Sequence, residues 1–122
     1  MKVVADTNIL IDYLNGLSKA KKELELYEEV HISIISWMEA LIGARSEEEE
    51  KIIRGFLKTL KVQEVNSPIS ERAIKIRKEK KIKLPDAIIW ATAQELEGLL
   101  ITRNTKDFPK KDPQIRVPYV IT

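Results

Sequence analysis

Apolar positions along the chain follow two alternating rhythms. Short runs rich in β-branched residues are separated by longer stretches in which apolar side chains return once per helical turn. Lys2 to Ala5 reads as a buried strand closed by Asp6, and Val30 to Ile35 as a second. Between them, Asn8 is placed to cap a helix through Ile9, Ile11, Tyr13 and Leu14, which Gly16 breaks. Lys19 to Glu28 then forms a helix presenting Ala20, Leu24 and Tyr27 to a core. Ser36 is expected to open a third helix, with Trp37, Met38, Leu41 and Ile42 as its apolar positions. Glu47 to Leu60 carries the clearest helical repeat, through Ile52, Ile53, Phe56, Leu57 and Leu60. Val62 to Val65 predicts a third strand. Ser67 and Pro68 make a cap and first-turn pair for the helix through Ala73 and Ile76. Leu84-Pro85-Asp86 starts a helix running from Ala87 to Leu96 and ended by Gly98. Leu99 to Thr102 is a fourth strand, Asn104 to Phe108 a turn, and Val117 to Val120 a fifth, peripheral strand, since Pro118 is unsuited to a central one.

This alternation predicts an α/β fold: a three-layer α/β/α sandwich around a mostly parallel sheet. The strands are apolar throughout, as expected when helices cover both faces. The length of 122 residues suits one domain spanning 1–122. In such sheets ligands bind beyond the carboxyl ends of the strands, so residues just past those ends are the first candidates for chemistry.

Composition narrows the classes. The hydrophobic share of 43% and aromatic share of 6% are those of an ordinary globular chain. No apolar run approaches bilayer length, and Asp6 interrupts the region where a signal peptide needs a continuous apolar core. A soluble, cytoplasmic protein without a membrane partner is expected. The absence of cysteine excludes disulfide and thiolate chemistry. With 21 Lys and Arg against 19 Asp and Glu, net charge alone does not argue for nucleic acid. The charges are clustered, however. Lys19, Lys21 and Lys22 form one basic group, and Lys75, Arg77, Lys78, Lys80, Lys81 and Lys83 another. Each reads first as a solvated helix face, with a phosphate-facing role as the alternative for the second.

Four acids fall beyond strand ends. Asp6 follows the first strand directly, Glu39 lies one turn into the helix after the second, and Asp107 lies a few residues past the fourth. Asp86 opens the helix that feeds the fourth strand, which starts at the same edge. All four therefore converge on one rim. Carboxylates that close repel one another unless a cation neutralises them. Oxygen donors without cysteine favour a hard ion, Mg²⁺ or Mn²⁺, and the one histidine, His31, falls within a strand as a core or sheet-face residue. Such an ion suits phosphodiester cleavage, because it acidifies water and stabilises charge on the transferring phosphoryl oxygens. Thr7, Asn8, Thr102 and Asn104 are placed to hydrogen-bond the acids and orient them. Asp12 is expected at the surface. The bland alternatives are local. Ser36 and Glu39 have capping-box spacing, as do Asn104 and Asp107, and Asp86 suits a first helical turn through the helix dipole alone.

At these residues the chain resembles PIN-domain proteins, in particular the VapC-like toxin ribonucleases of toxin–antitoxin pairs. VVADTNILIDYL resembles the family's first motif and places Asp6 as its leading aspartate; ISIISWMEALIGA places Glu39, LPDAIIWATA Asp86, and LLITRNTKDF Asp107. The resemblance runs over roughly residues 2 to 120. It implies a Mg²⁺- or Mn²⁺-dependent endoribonuclease acting on RNA, such as tRNA or a ribosomal RNA loop, and held in check by a cognate antitoxin. Some PIN proteins carry an aspartate where this chain has Asn104, which puts a second metal position in doubt. A PIN nuclease of RNA processing or of branched DNA, and a non-catalytic interaction module, are the competing readings.

Arg45, Arg103 and Lys106 lie close in sequence to the proposed ligands and are candidate phosphate contacts. The helices also carry more apolar residues than one sheet face needs. The surplus is either fully buried or forms a homodimer seam or a groove for an antitoxin helix, and the resemblance favours the latter.

Overall fold

The computed structural model describes residues 2–121. Five strands, β1 (Val3–Ala5), β2 (His31–Ser33), β3 (Lys61–Gln63), β4 (Leu99–Ile101) and β5 (Ile115–Arg116), form one sheet in the order β3-β2-β1-β4-β5. Every neighbouring pair is parallel. Six helices connect or flank them: α1 (Thr7–Leu14), α2 (Ser18–Glu25), α3 (Ile34–Ile42), α4 (Glu47–Leu57), α5 (Ser67–Lys80) and α6 (Leu84–Glu95).

The pleat explains the layers. Successive side chains of a strand point to opposite faces, and the central strands divide accordingly. Val4 of β1 and Leu100 of β4 join a core with Ile69, Ala73 and Ile76 of α5 and Ile89 and Trp90 of α6. Val3, Ala5 and Ile101 join a second core with Ile9 and Leu10 of α1, Ala20 of α2, Ala40 of α3 and Ile53 and Leu57 of α4. Both faces are thus covered, and the expected α/β/α sandwich is observed.

The differences lie at the ends of elements. The helix caps sit upstream of the expected residues: Asp6 caps α1 rather than Asn8, Ser33 caps α3 rather than Ser36, and Asn66 caps α5 rather than Ser67. At α1 and α3 the strand passes straight into the helix, so the last residue of the strand or the one after it is the cap. α6 begins at Leu84, before Asp86. The fifth strand is Ile115–Arg116, upstream of Pro118, not Val117 to Val120. After α6 it is Glu97 that adopts the left-handed conformation (φ 54°), not Gly98. Glycine is needed at 98 for another reason: a Cβ there would lie 2.5 Å from the Lys2 carbonyl oxygen. The apolar surplus of α6 is mostly absorbed by the core, whereas α3 leaves Met38 and Ile42 at 43% and 81% exposure.

Candidate active site

Asp6 is the centre of the rim. It leaves β1 in extended conformation and caps α1, so its carboxylate is held where strand meets helix, at 4% exposure. Thr7 N donates to Oδ1 at 2.7 Å. Oδ2 accepts from Asn8 Nδ2 at 3.1 Å and from Thr102 Oγ1 at 2.7 Å. The Thr102 hydroxyl has no freedom in this arrangement. Its oxygen already accepts from Asn8 Nδ2 (3.1 Å) and from the Asn104 backbone N–H (3.0 Å), so its single hydrogen is directed at Asp6. Asn8 is oriented in turn by the Arg103 backbone N–H, which donates to its Oδ1 at 3.3 Å. Residues on α1 and on the loop after β4 therefore fix one carboxylate from both sides.

All four acids interact with this arrangement or with one another. Burial is the largest influence on Asp6 and raises its pKa; hydrogen bonds from Thr102 and Thr7 oppose it, Asp86 and Glu39 reinforce it, and the result is about 6. Asp86 is also pushed up, first by burial, then by Asp107 and Glu39, with Lys83 pulling the other way. A first-turn aspartate answering only to the helix dipole would shift downward, so the dipole account of Asp86 is insufficient. Glu39 lies on the exposed side of α3, where its Oε1 accepts from Thr7 Oγ1 at 2.6 Å. Thr7 Oγ1 also lies 2.9 Å from Ser36 Oγ. Ser36 is fully buried inside α3 and Ser33 accepts from Ile35 N in its place, so Glu39 is not part of a capping box.

Asp107 fits its local alternative more closely. Asn104 Oδ1 accepts from the backbone N–H groups of Lys106 (3.2 Å) and Asp107 (3.3 Å), as a cap does, while Asn104 Nδ2 donates to Asp107 Oδ2 at 3.1 Å. Asn104 thereby holds the Asp107 carboxylate on the loop whose charge Asp86 senses.

Two expectations are corrected. Asp12 is not a surface residue: it is 6% exposed, accepts a bidentate pair from Arg103 (2.6 and 3.0 Å) and accepts from Tyr119 OH at 2.8 Å. Arg103 is accordingly committed to Asp12 and is not a free phosphate contact. Arg45 is exposed and pairs with Glu49 at 3.3 Å. A second bidentate pair, Arg116 to Glu23 (2.6 and 2.8 Å) with Tyr27 OH on Glu23 (2.7 Å), ties α2 to β5. Neither pair has a local signal, because the partners stand 91 and 93 residues apart. His31, on β2, is partly buried with Nε2 lacking a hydrogen-bond partner, and burial holds its pKa down.

Among the described residues, no group of three or more Asp, Glu, His or Cys side chains lies close enough, as oriented, to hold an ion. The chemistry of the donors still fits a hard divalent cation. Every candidate donor is oxygen, Asp6 has no ion-pair partner among the described residues, and the raised Asp6 and Asp86 are the groups that a nearby positive charge would relieve.

The family model described as the PIN domain matches residues 3–112. No curated protein sequence matches the chain. Among solved structures, a toxin–antitoxin complex from Klebsiella pneumoniae contains a chain 45% identical to this one, with 98% of this chain and 100% of that one covered and a TM-score of 0.92. VapBC from Salmonella typhimurium, in a DNA-bound structure, is 24% identical over 95% of this chain and 96% of that one (TM-score 0.82). VapBC2 from Rickettsia felis, bound to a DNA fragment from their promoter, is 23% identical over 94% and 96% (TM-score 0.80). The latter two likenesses are of fold.

Proposed function

Since this chain belongs to the PIN-domain family, we propose that it is a Mg²⁺- or Mn²⁺-dependent endoribonuclease, the toxin of a toxin–antitoxin pair. A toxin role draws on its 45% identity to a chain of the Klebsiella pneumoniae complex. The observation that carries the chemistry is Asp6: a buried carboxylate provided with three hydrogen-bond donors and no ion-pair partner among the described residues, facing Asp86 and Glu39.

In this reading Asp6, Glu39, Asp86 and Asp107 would hold the ion. When bound, it supplies acidified water and charge stabilisation at the scissile phosphate. The protein's own part is orientation. Thr102 and Asn8 keep Asp6 Oδ2 in place, Thr7 holds Glu39 and is itself placed by Ser36, and Asn104 restrains Asp107. Burial of Asp6 keeps bulk water away from one side of the site, which strengthens the electrostatic interactions made there.

An antitoxin segment and a homodimer complete the proposal. A groove of about 470 Å³ between α1, α3 and α4, lined by apolar Ile11, Leu14, Ala40, Ile52 and Ile53 together with Asn15, Arg45 and Glu49, could take an amphipathic helix, and exposed Met38 and Ile42 offer a further surface. The test is cleavage of structured RNA by protein purified free of antitoxin. Activity is expected with Mn²⁺ or Mg²⁺, none with chelator, and a loss of at least about 100-fold in D6N. Undiminished cleavage by D6N, with contaminating nucleases excluded, overturns the assignment.

One observation favours a non-catalytic role: the absence of a ready-made three-ligand cluster among the described residues. Calorimetric titration with Mn²⁺ at neutral pH decides between the two, since a non-catalytic module would show no binding heat.

A further inference from the structure

The basic residues at the turn between α5 and α6 are in no ion pair with the acids of the site described above. The last turn of α5 carries Arg77, Lys78 and Lys80, its C-cap is Lys81, and Lys83 is the N-cap of α6. All five are exposed. Lysines at a helix C-terminus are favoured by the helix dipole, so their presence alone says little. Three further observations go beyond that.

The first is unspent charge. The chain has six arginines, and five of them, Arg45, Arg54, Arg72, Arg103 and Arg116, are in carboxylate ion pairs. Arg77, the sixth, has no ion pair among the described residues; nor has any lysine there, Lys78, Lys81 and Lys83 included, while Lys80 Nζ lies 5.7 Å from the centroid of the Trp90 ring. Glu79 lies within the same run without joining an ion pair there. The second is conformation. Lys81 adopts the left-handed region, φ 57° and ψ 30°, at the C-cap position where glycine is the usual occupant. A lysine there accepts backbone strain that a glycine would not. The third is position. Lys83 is the N-cap of α6 and Asp86 stands in the first turn of the same helix, so the basic turn adjoins the acidic rim.

We propose that Arg77, Lys78, Lys80, Lys81 and Lys83 form a binding strip for the ribose–phosphate backbone of RNA, leading the strand toward Asp86, and that Lys81 holds its strained position for its charge. The inference rests on the ribonuclease reading given above. It answers the electrostatic difficulty of that reading, in which a polyanion must approach a group of carboxylates. Each phosphate neutralised on a single strand adds about 0.7 to the slope of log affinity against log salt.

The test separates binding from cleavage. A fluorescein-labelled RNA oligonucleotide is titrated with the full-length protein in chelator, from 50 to 200 mM KCl, by fluorescence anisotropy. K78Q/K81Q is expected to weaken binding several-fold and to lower the salt slope by about 1.4, because two phosphates are no longer neutralised. K81G is expected to weaken binding while its Tm stays equal to or rises above that of the unsubstituted protein. K19Q/K21Q removes the same charge from α2 and is expected to bind normally. Unchanged affinity and slope in K78Q/K81Q overturns the strip, as does an equal loss in K19Q/K21Q, which would mark the attraction as net charge. A fall in Tm that accompanies the K81G binding loss overturns the role given to Lys81. Cleavage in Mn²⁺ without any dependence on these residues sinks the strip alone. Strip-dependent binding without cleavage supports the strip and sinks the ribonuclease reading instead.

Discussion

Asp6 and Asp12 stand at opposite ends of α1, nearly equally hidden at 4% and 6% exposure, and their acidities diverge. The helix dipole predicts the reverse of what is found: it favours an anion at the N-terminus, beside Asp6, and disfavours one near the C-terminus, beside Asp12. Yet Asp6 is pushed up to about 6 while Asp12 is pulled down. Burial raises both and is the largest influence on each. At Asp12 it is outweighed by hydrogen bonds from Arg103 and Tyr119 and by the Arg103 charge. At Asp6 the hydrogen bonds from Thr102 and Thr7 do not suffice, and the neighbours Asp86 and Glu39 are anions. The chain thus supplies an internal cation to one buried carboxylate and withholds it from the other. On the function proposed above, that contrast distinguishes a group that holds the fold together from one that would take an external positive charge.

The largest expected effect tests the first half of the contrast. R103A leaves Asp12 buried without its counter-charge and should cost about 3–5 kcal/mol of stability, toward the lower end because the arginine side chain is one-third exposed. Urea unfolding measures it, and a loss under about 1 kcal/mol removes Asp12 from its structural role. The second half concerns pH. A carboxyl group whose folded pKa lies above its unfolded value binds its proton more tightly in the native state. In chelator, therefore, stability should fall as pH rises from about 4 through 6, by about 3 kcal/mol if Asp6 alone is counted. Asp86, raised as well, acts in the same direction. D6N should flatten most of that slope. Added Mn²⁺ should raise Tm more at pH 7 than at pH 5, since the ion binds the deprotonated form. A profile for the unsubstituted protein as flat as that of D6N breaks the comparison. Asp12 contributes with the opposite sign: its stabilisation is present above its ordinary pKa and is lost as pH falls through its lowered one.

How much of this was legible in the sequence depended on distance along the chain. The layers were readable because Val3, Val4 and Ala5 are apolar without alternation, and both cores claim them. The position of Asp6 was readable because it follows that strand. The caps were not, because Asp6, Ser33 and Asn66 are competent caps just upstream of Asn8, Ser36 and Ser67, and sequence alone cannot tell where a strand gives way to a helix. The fifth strand was misplaced because the apolar residues Val117 to Val120 outweighed Ile115 and Arg116, although Arg116 reaches Glu23 through its place in β5. Asp12 was misjudged for the same physical reason. Its partners, Arg103 and Tyr119, lie 91 and 107 residues away, and a carboxylate on a helix looks solvated until such partners are known.

The smallest expected effect separates the two carboxylates most finely. Tyr119 is 9% exposed and its hydroxyl donates to Asp12 Oδ2 at 2.8 Å, the same oxygen that Arg103 Nε reaches at 2.6 Å. Y119F removes one donor and leaves the counter-charge, so the loss should be about 1.5 kcal/mol, the scale of one hydrogen bond to a charged group. The deficit should shrink in acid, as pH falls through the lowered pKa of Asp12 and the hydroxyl no longer meets a full negative charge. Metal affinity should hardly move. Asn8, and through it Asp6, is oriented by the backbone N–H of Arg103 rather than by its guanidinium, and Thr102 is positioned by Asn8 and Asn104, whereas the Tyr119 hydroxyl bonds to Asp12. A Mn²⁺ dissociation constant that rises with the stability loss in Y119F, measured by calorimetry at pH 7, would mean that the two carboxylates of α1 act as one unit and that Asp12 belongs to the site after all.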